Sequence, residues 1–171
     1  MNSIILLGFF GAGKTSIGKE LAKRYSYEFI ELEDEVKKHT GIVSITKAYE
    51  DNLLKWREAE ITLCSSLSKK DQLVIAGTSG LVENSINILY FRQNNPNHHI
   101  VYLQTSLNVI RNRLQIAPER GSRPVDRIVD KIAAYYVRRD MLYEYYAHTK
   151  IDTTSKSVEE SVEEIYRTIS P

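Results

Sequence analysis

Apolar residues gather in five short runs along the chain, and between the runs they recur every three or four positions. A strand signal alternating with an amphipathic-helix signal predicts a parallel sheet with helices on both faces, because parallel neighbours need a crossover between them. Ile4-Ile5-Leu6-Leu7 is the first run, and Ile17, Leu21 and Tyr25 then mark a helix over residues 14 to about 26. Tyr27-Glu28-Phe29-Ile30 predicts the second strand, with Glu31, Glu33, Asp34 and Glu35 at its C-terminal end. Continued alternation would set Glu31 and Glu33 on one face, whereas Asp34 and Glu35 suit the solvated first turn of a helix. That helix is expected to stop at Gly41, Ser44 to cap a short successor, and Leu53, Trp56, Ile61, Cys64 and Leu67 to mark a longer helix.

The third strand is expected over 72–76, a helix over 84–92, a strand over 100–104 and a helix from Ser106 to about 114. From Pro124 a long helix runs towards Ala147, with Val125, Ile128, Val129, Ile132 and Tyr136 on one face. Its tyrosines at 135, 136, 143, 145 and 146 read as packing residues. Lys150-Ile151-Asp152 makes a last strand, and Ser157 with Glu160 opens the closing helix as a capping box.

Composition narrows the class. A chain of 171 residues, 42% hydrophobic and 26% charged, suits a single domain with a full core over residues 1–171. With 23 basic and 22 acidic residues the formal net charge is +1, so there is no basic field of the kind sequence-independent nucleic-acid binding needs. No apolar run approaches the ~20 residues of a membrane span, and the N-terminus enters a strand without a signal pattern. A cytoplasmic monomer, with neither nucleic acid nor membrane as partner, is expected. Cys64, the only cysteine, cannot form an internal disulfide and reads as a small core residue. His98 and His99 have no third ligand at metal-binding spacing and read as surface residues.

Candidate chemistry begins at Gly8-Phe9-Phe10-Gly11-Ala12-Gly13-Lys14-Thr15, which fits G-x-x-x-x-G-K-[ST] directly after an apolar strand. Strand, glycine turn and helix start aim successive backbone N–H groups at one point, which suits a triphosphate. Gly11, Ala12, Gly13, Lys14, Thr15 and Ser16 form the candidate ATP-binding turn, with the Lys14 ammonium for the outer phosphates and the Thr15 hydroxyl for Mg²⁺. Gly77-Thr78-Ser79-Gly80, after the third strand, would let backbone approach a ligand closely. Arg57 and Glu60, three apart on a helix, can touch, either as a surface ion pair or as part of a site. Residues 113–123 combine helix breakers with three arginines and read as a basic lid that closes over a nucleotide.

Read together, these sites give the chain a resemblance to the shikimate kinases, small P-loop kinases similar to nucleoside monophosphate kinases. The resemblance spans nearly the whole length. It includes the phosphate loop, the acidic stretch ending in Thr40-Gly41, Trp56-Arg57-Glu58-Ala59-Glu60, the loop around Gly80, Arg123-Pro124 and Arg139 followed by Leu142-Tyr143. It implies a three-layer α/β/α P-loop kinase fold whose five-stranded parallel sheet has the order 2-3-1-4-5, with a substrate-binding segment near 31–61 and a lid near 113–124.

The resemblance also implies roles. Lys14 would steady the phosphates, Thr15 and Glu31 would hold Mg²⁺, and Glu33 would meet the substrate hydroxyl. Arg57 and Arg139 would clamp a substrate carboxylate, with Glu60 steadying Arg57. Arg113 would lie beside the adenine, and Arg120 would reach the phosphates from the lid. The catalytic set is then Lys14, Glu33 and Arg120, and Thr78, Ser79 and Gly80 complete the acceptor side.

Two departures from the family pattern fall on that acceptor side. Asp-x-Asp is here Glu31-Leu32-Glu33, and Gly-Gly-Gly is Thr78-Ser79-Gly80; both changes narrow the same pocket. The expected reaction is ATP-dependent phosphorylation of a small, hydroxylated, carboxylated metabolite, with shikimate going to shikimate 3-phosphate. The departures leave two alternatives: another polyol, sugar acid or nucleoside as acceptor, or an ATP-binding sensor module that has lost transfer.

Overall fold

The computed structural model describes residues 3–116 and 125–170, with side chains over 3–113 and 132–170. Five strands, β1 (Ile4–Leu7), β2 (Glu28–Glu31), β3 (Leu73–Ala76), β4 (His99–Gln104) and β5 (Thr149–Asp152), pair in parallel in the order β2-β3-β1-β4-β5. Among the described residues eight α-helices connect or follow them: α1 (Lys14–Tyr25), α2 (Leu32–Thr40), α3 (Ile45–Asp51), α4 (Leu53–Leu67), α5 (Ser85–Asn94), α6 (Leu107–Ile116), α7 (Val125–Tyr146) and α8 (Val158–Ile169). This is the expected layered sheet and strand order.

The layers follow from strand periodicity. Every residue of β1 is 0% exposed, yet its side chains divide by parity. Ile4 and Leu6 join Ile17, Leu21, Val162 and Ile165 of α1 and α8, whereas Ile5 and Leu7 join Leu32, Val36, Trp56, Ile88 and Tyr143 on the other face. Parallel register sets Glu31 level with Ala76 and Leu6 level with both Ala76 and Val101. The turns after β1, β2 and β3 therefore open on one edge of the sheet, where open α/β sheets bind ligands.

The caps fall as expected. Gly41 ends α2, the Ser44 hydroxyl accepts from the Lys47 N–H, and Ser157 and Glu160 form a reciprocal capping box on α8. Three expectations are corrected. The extended chain ends at Glu31 and Leu32 already begins α2, so Glu33 sits in the first turn of a helix rather than beside Glu31 on a strand face. The apolar Leu32, 0% exposed, turns into the core there, and the acids at 33–35 suit the helix start. His98 is not on the surface: it is 3% exposed, with Nε2 2.9 Å from the Ser68 carbonyl oxygen and its ring edge-on to Phe91, and His99 is half-buried at the start of β4. Among the tyrosines of α7, Tyr143 packs in the core at 1% exposure, but Tyr145 stands out in solvent at 73%. Cys64 is fully buried, and burial pushes its thiol well above the ordinary range, which suits an inert core residue. The expected lid with Arg120, Arg123 and Pro124, and the inward face at Val125, Ile128 and Val129, lie outside the described residues or side chains.

Candidate active site

One half of the site is made of backbone. Between β1 and α1, Gly11 and Gly13 take φ of 80° and 96°, the left-handed region that glycine enters without a Cβ clash. Gly13 caps α1 without any side-chain acceptor, so the first N–H groups of the helix face the loop they close. The Lys14 ammonium folds back over this loop and donates to the carbonyls of Gly8 and Phe9, at 2.8 and 3.0 Å. Ala12 is buried and Ser16 is exposed on the first turn. Arg113, on α6, reaches across to donate to the Gly11 carbonyl at 2.9 Å and weakly to that of Thr153. It thereby joins the loop to the turn after β5.

At the end of β2, the Glu31 carboxylate accepts a 2.6 Å hydrogen bond from the Thr15 hydroxyl. Burial raises the Glu31 carboxyl above its usual range, against the pull of the Thr15 bond and the Lys14 charge. Glu33 does not join this pair. It lies one turn from Lys37, whose ammonium is 3.3 Å from it and 3.1 Å from Asp34.

The other half is made of side chains from four segments. On α4, Glu60 is 0% exposed and is fully engaged: Arg57 Nη1 donates to one oxygen at 2.7 Å, and Trp56 Nε1 and the Thr78 hydroxyl donate to the other at 3.2 and 2.5 Å. The Arg57–Glu60 pair is therefore an interior one. Thr78, 7% exposed, turns its hydroxyl onto Glu60, and the Ser79 carbonyl accepts from Tyr143 of α7. Gly80 lies under the Arg57 guanidinium, where an added Cβ would come within 2.5 Å of Nη2.

Arg139, also on α7, is 5% exposed, with its guanidinium carbon 5.0 Å from the centre of the Tyr135 ring and 5.7 Å from that of Phe9 in the phosphate loop. Between the two arginines stands Glu83, in the 3₁₀ turn Leu81–Glu83. It accepts from Arg57 Nη2 at 3.0 Å and from Arg139 Nε at 3.2 Å. The sequence reading missed Glu83. Its only signal was a carboxylate just past a small-residue loop, and nothing in its spacing linked it to Arg139.

The structure thus brings Lys14, Thr15, Glu31 and Arg113 to one side of the edge, and Arg57, Glu60, Thr78, Gly80 and Arg139 to the other. Arg120 is outside the described residues.

A family model described as shikimate kinase matches residues 10–170. The chain belongs to the shikimate kinase family. It is 32% identical to a shikimate kinase of Pelotomaculum thermopropionicum, covering 96% of this chain and 94% of the relative. With one from Bacillus cytotoxicus the identity is 33%, over 99% of both chains. Among solved structures, the shikimate kinase from Acinetobacter baumannii in complex with shikimate superposes with a TM-score of 0.85 at 26% identity, covering 99% of this chain and 93% of that one. The chain is accordingly an ATP-using phosphotransferase with an alcohol acceptor, whose reaction is the phosphorylation of shikimate. Among the described residues no helix is long and apolar enough to cross a membrane.

Proposed function

We propose that the two halves divide the reaction between them, the phosphate loop holding ATP and the arginine pair presenting shikimate by its carboxylate. The observation that carries this is the meeting of Arg57 and Arg139 on a single carboxylate, that of Glu83. Guanidinium forks from α4 and α7 are already spaced for a carboxylate, the one anionic group shikimate carries. Glu60 keeps Arg57 in that position from beneath. Gly80 gives the guanidinium room, and Thr78 and Ser79 shape the floor through Glu60 and Tyr143.

On the nucleotide side, the loop amides of residues 11–16 hold the phosphate chain. Lys14 swings from the carbonyls of Gly8 and Phe9 to the phosphates, and Arg113 lies beside the base. Lys14 and, from the lid, Arg120 offset charge on the phosphoryl group in flight. Glu33 leaves Lys37 to orient the shikimate hydroxyl and take its proton late. Thr15 and Glu31 suit Mg²⁺: they pair one hydroxyl with one carboxylate, a hard-oxygen set with room for phosphate and water ligands. Mg²⁺ bound there supplies charge neutralisation at the phosphates. Among the described residues no cluster of three or more metal-binding side chains competes for it. The enzyme works as a cytoplasmic monomer, a reading supported for the compartment by its one cysteine being free and buried.

The test is ADP release with ATP, Mg²⁺ and shikimate. Turnover well above the ATPase background is expected. Absence of turnover in folded protein that binds ATP would leave one of the other acceptors or the sensor module.

A further inference from the structure

Glu83 is an acidic side chain of the site to which neither the phosphate loop nor the hydroxyl chemistry gives a task. Its two oxygens each take a different arginine, Arg57 Nη2 at 3.0 Å and Arg139 Nε at 3.2 Å, so it makes the two-point contact a bound carboxylate would make. The charges balance internally: Arg57 and Arg139 face Glu60 and Glu83, two cations against two anions. An incoming carboxylate meets no net positive charge there. The two acids differ in what holds them. Glu60 is 0% exposed and is locked by Trp56 and Thr78 besides Arg57. Glu83 sits at the end of a three-residue turn with its side chain 17% exposed, and among the described residues only the two arginines bond its carboxylate. Glu60 is thus held by three donors from within the core, and Glu83 by two at its margin.

We propose that Glu83 is a built-in competitor for the substrate carboxylate, so that shikimate binds by exchanging one carboxylate for another at the Arg57–Arg139 pair. This rests on the reading that those arginines receive the shikimate carboxylate. The exchange makes Glu83 a specificity residue in two ways. It keeps a nearly buried Arg139 paired while no substrate is bound, since an uncompensated buried charge is costly. It also sets a threshold: only a ligand whose anion binds both forks better than Glu83 gains the site, so weak anions and neutral polyols are not rewarded there.

The experiment compares wild type with Glu83→Gln for shikimate KM, kcat and ATP KM, and for inhibition by the methyl ester of shikimate, which has no carboxylate charge. In the variant, shikimate KM is expected to fall at least fivefold, with kcat and ATP KM within twofold and affinity for the ester unchanged within twofold. A supporting role for Glu83 would raise KM instead. Unchanged or raised shikimate KM, or an equal gain for the ester, overturns the exchange. Should Glu83→Gln not fold, Glu83→Asp keeps the charge but withdraws it by roughly 1.5 Å, about one carbon–carbon bond. It is expected to lower KM by a smaller factor, and an unchanged KM in that variant overturns the proposal equally. A wild type that does not turn over shikimate overturns the functional reading and the exchange together, whereas a normal wild type with an unresponsive variant overturns the exchange alone.

Discussion

The two halves of the site solve opposite problems with opposite materials. On the proposed division, the nucleotide half centres on the contiguous residues Gly8 to Thr15, a tight turn with glycines at positive φ that would work mainly through backbone amides, and Glu31 and Arg113 join it from other segments. The proposed acceptor half joins Arg57, Glu60, Thr78, Glu83 and Arg139, drawn from α4, the turns after β3 and α7, and would work through largely buried side-chain charge. A triphosphate is the same in every enzyme that uses it, so a local backbone cradle suffices. An acceptor has its own shape and charge, and a cage of side chains can be altered one residue at a time. Phe9 of the phosphate loop links the halves, lying against Arg139 and edge-on to Tyr136, both on α7.

The sharpest way to separate the halves is Lys14→Ala. Its ammonium bonds the carbonyls of its own loop, and deleting it should leave the acceptor half standing. A loss on the order of a thousandfold in kcat is expected, the scale of one transition-state donor removed, with the melting temperature and shikimate binding retained. Steady-state kinetics beside a binding titration checks this; a variant that also lost shikimate affinity would show that the halves are not independent.

Glu60→Ala strikes the other half from within. Glu60 is 0% exposed and satisfies Arg57, Trp56 and Thr78 together, so its removal orphans three donors at once. Destabilisation of about 3 kcal/mol is expected, the low end for breaking a buried ion pair, to be read from urea unfolding. The comparison predicts a qualitative difference: Glu60 ties the acceptor half to the core, and its loss shows as stability, whereas damage to the phosphate loop shows as rate.

That difference also governs how much of the molecule was legible in its sequence. The phosphate loop was readable because its residues are adjacent and its geometry is local. The strands and caps were readable for the same reason, down to Gly41, Ser44 and the Ser157–Glu160 box. Strand order came from resemblance, since periodicity does not rank neighbours. The pairing of Arg57 with Glu60 followed from helical spacing, but its burial did not, because burial depends on Trp56 beneath it and Thr78 from another segment. Glu33 was misplaced because alternation was carried two residues too far, past Glu31 into α2. His98 read as a surface residue, and only the fold brings the Ser68 carbonyl and Phe91 against it. Glu83 was invisible because its partners are 26 and 56 positions away. The two filled glycine positions looked like obstruction, yet Thr78 aims its hydroxyl at Glu60.

Gly80→Ala sharpens the comparison at smaller amplitude. Gly80 has an ordinary φ of −100°, so alanine brings no backbone strain, but its Cβ would lie 2.5 Å from Arg57 Nη2. The fork at the end of a flexible side chain can move aside, which preserves the fold and spoils the clamp. Shikimate KM is expected to rise about tenfold, roughly 1.4 kcal/mol of binding, with ATP KM unchanged. A parallel rise in ATP KM would mean that the displacement travels through Arg139 and Phe9 to the phosphate loop.

The smallest effect should ignore the division altogether, because it arises at the opposite edge of the sheet. His99 opens β4 beside the ring of His148, 5.3 Å away centre to centre, and His148 Nδ1 accepts the Ile100 N–H at 3.1 Å. Burial holds both imidazoles below the ordinary value of 6.5, helped by His148 in the case of His99 and by Arg92 in the case of His148. Lowered values mean that the unfolded chain takes up these protons first. The stability they confer is therefore complete above about pH 6.5 and is lost as pH falls from there through the lowered folded-state values. Protonating Nδ1 of His148 also removes an acceptor from β4. His148→Asn can keep an acceptor near that position and removes one titration, so its melting temperature should fall less than that of wild type between pH 7.5 and 5.5. The KM values for ATP and shikimate, measured on the folded enzyme at each pH, should match those of wild type; a change in one alone would tie this edge of the sheet to one half of the site.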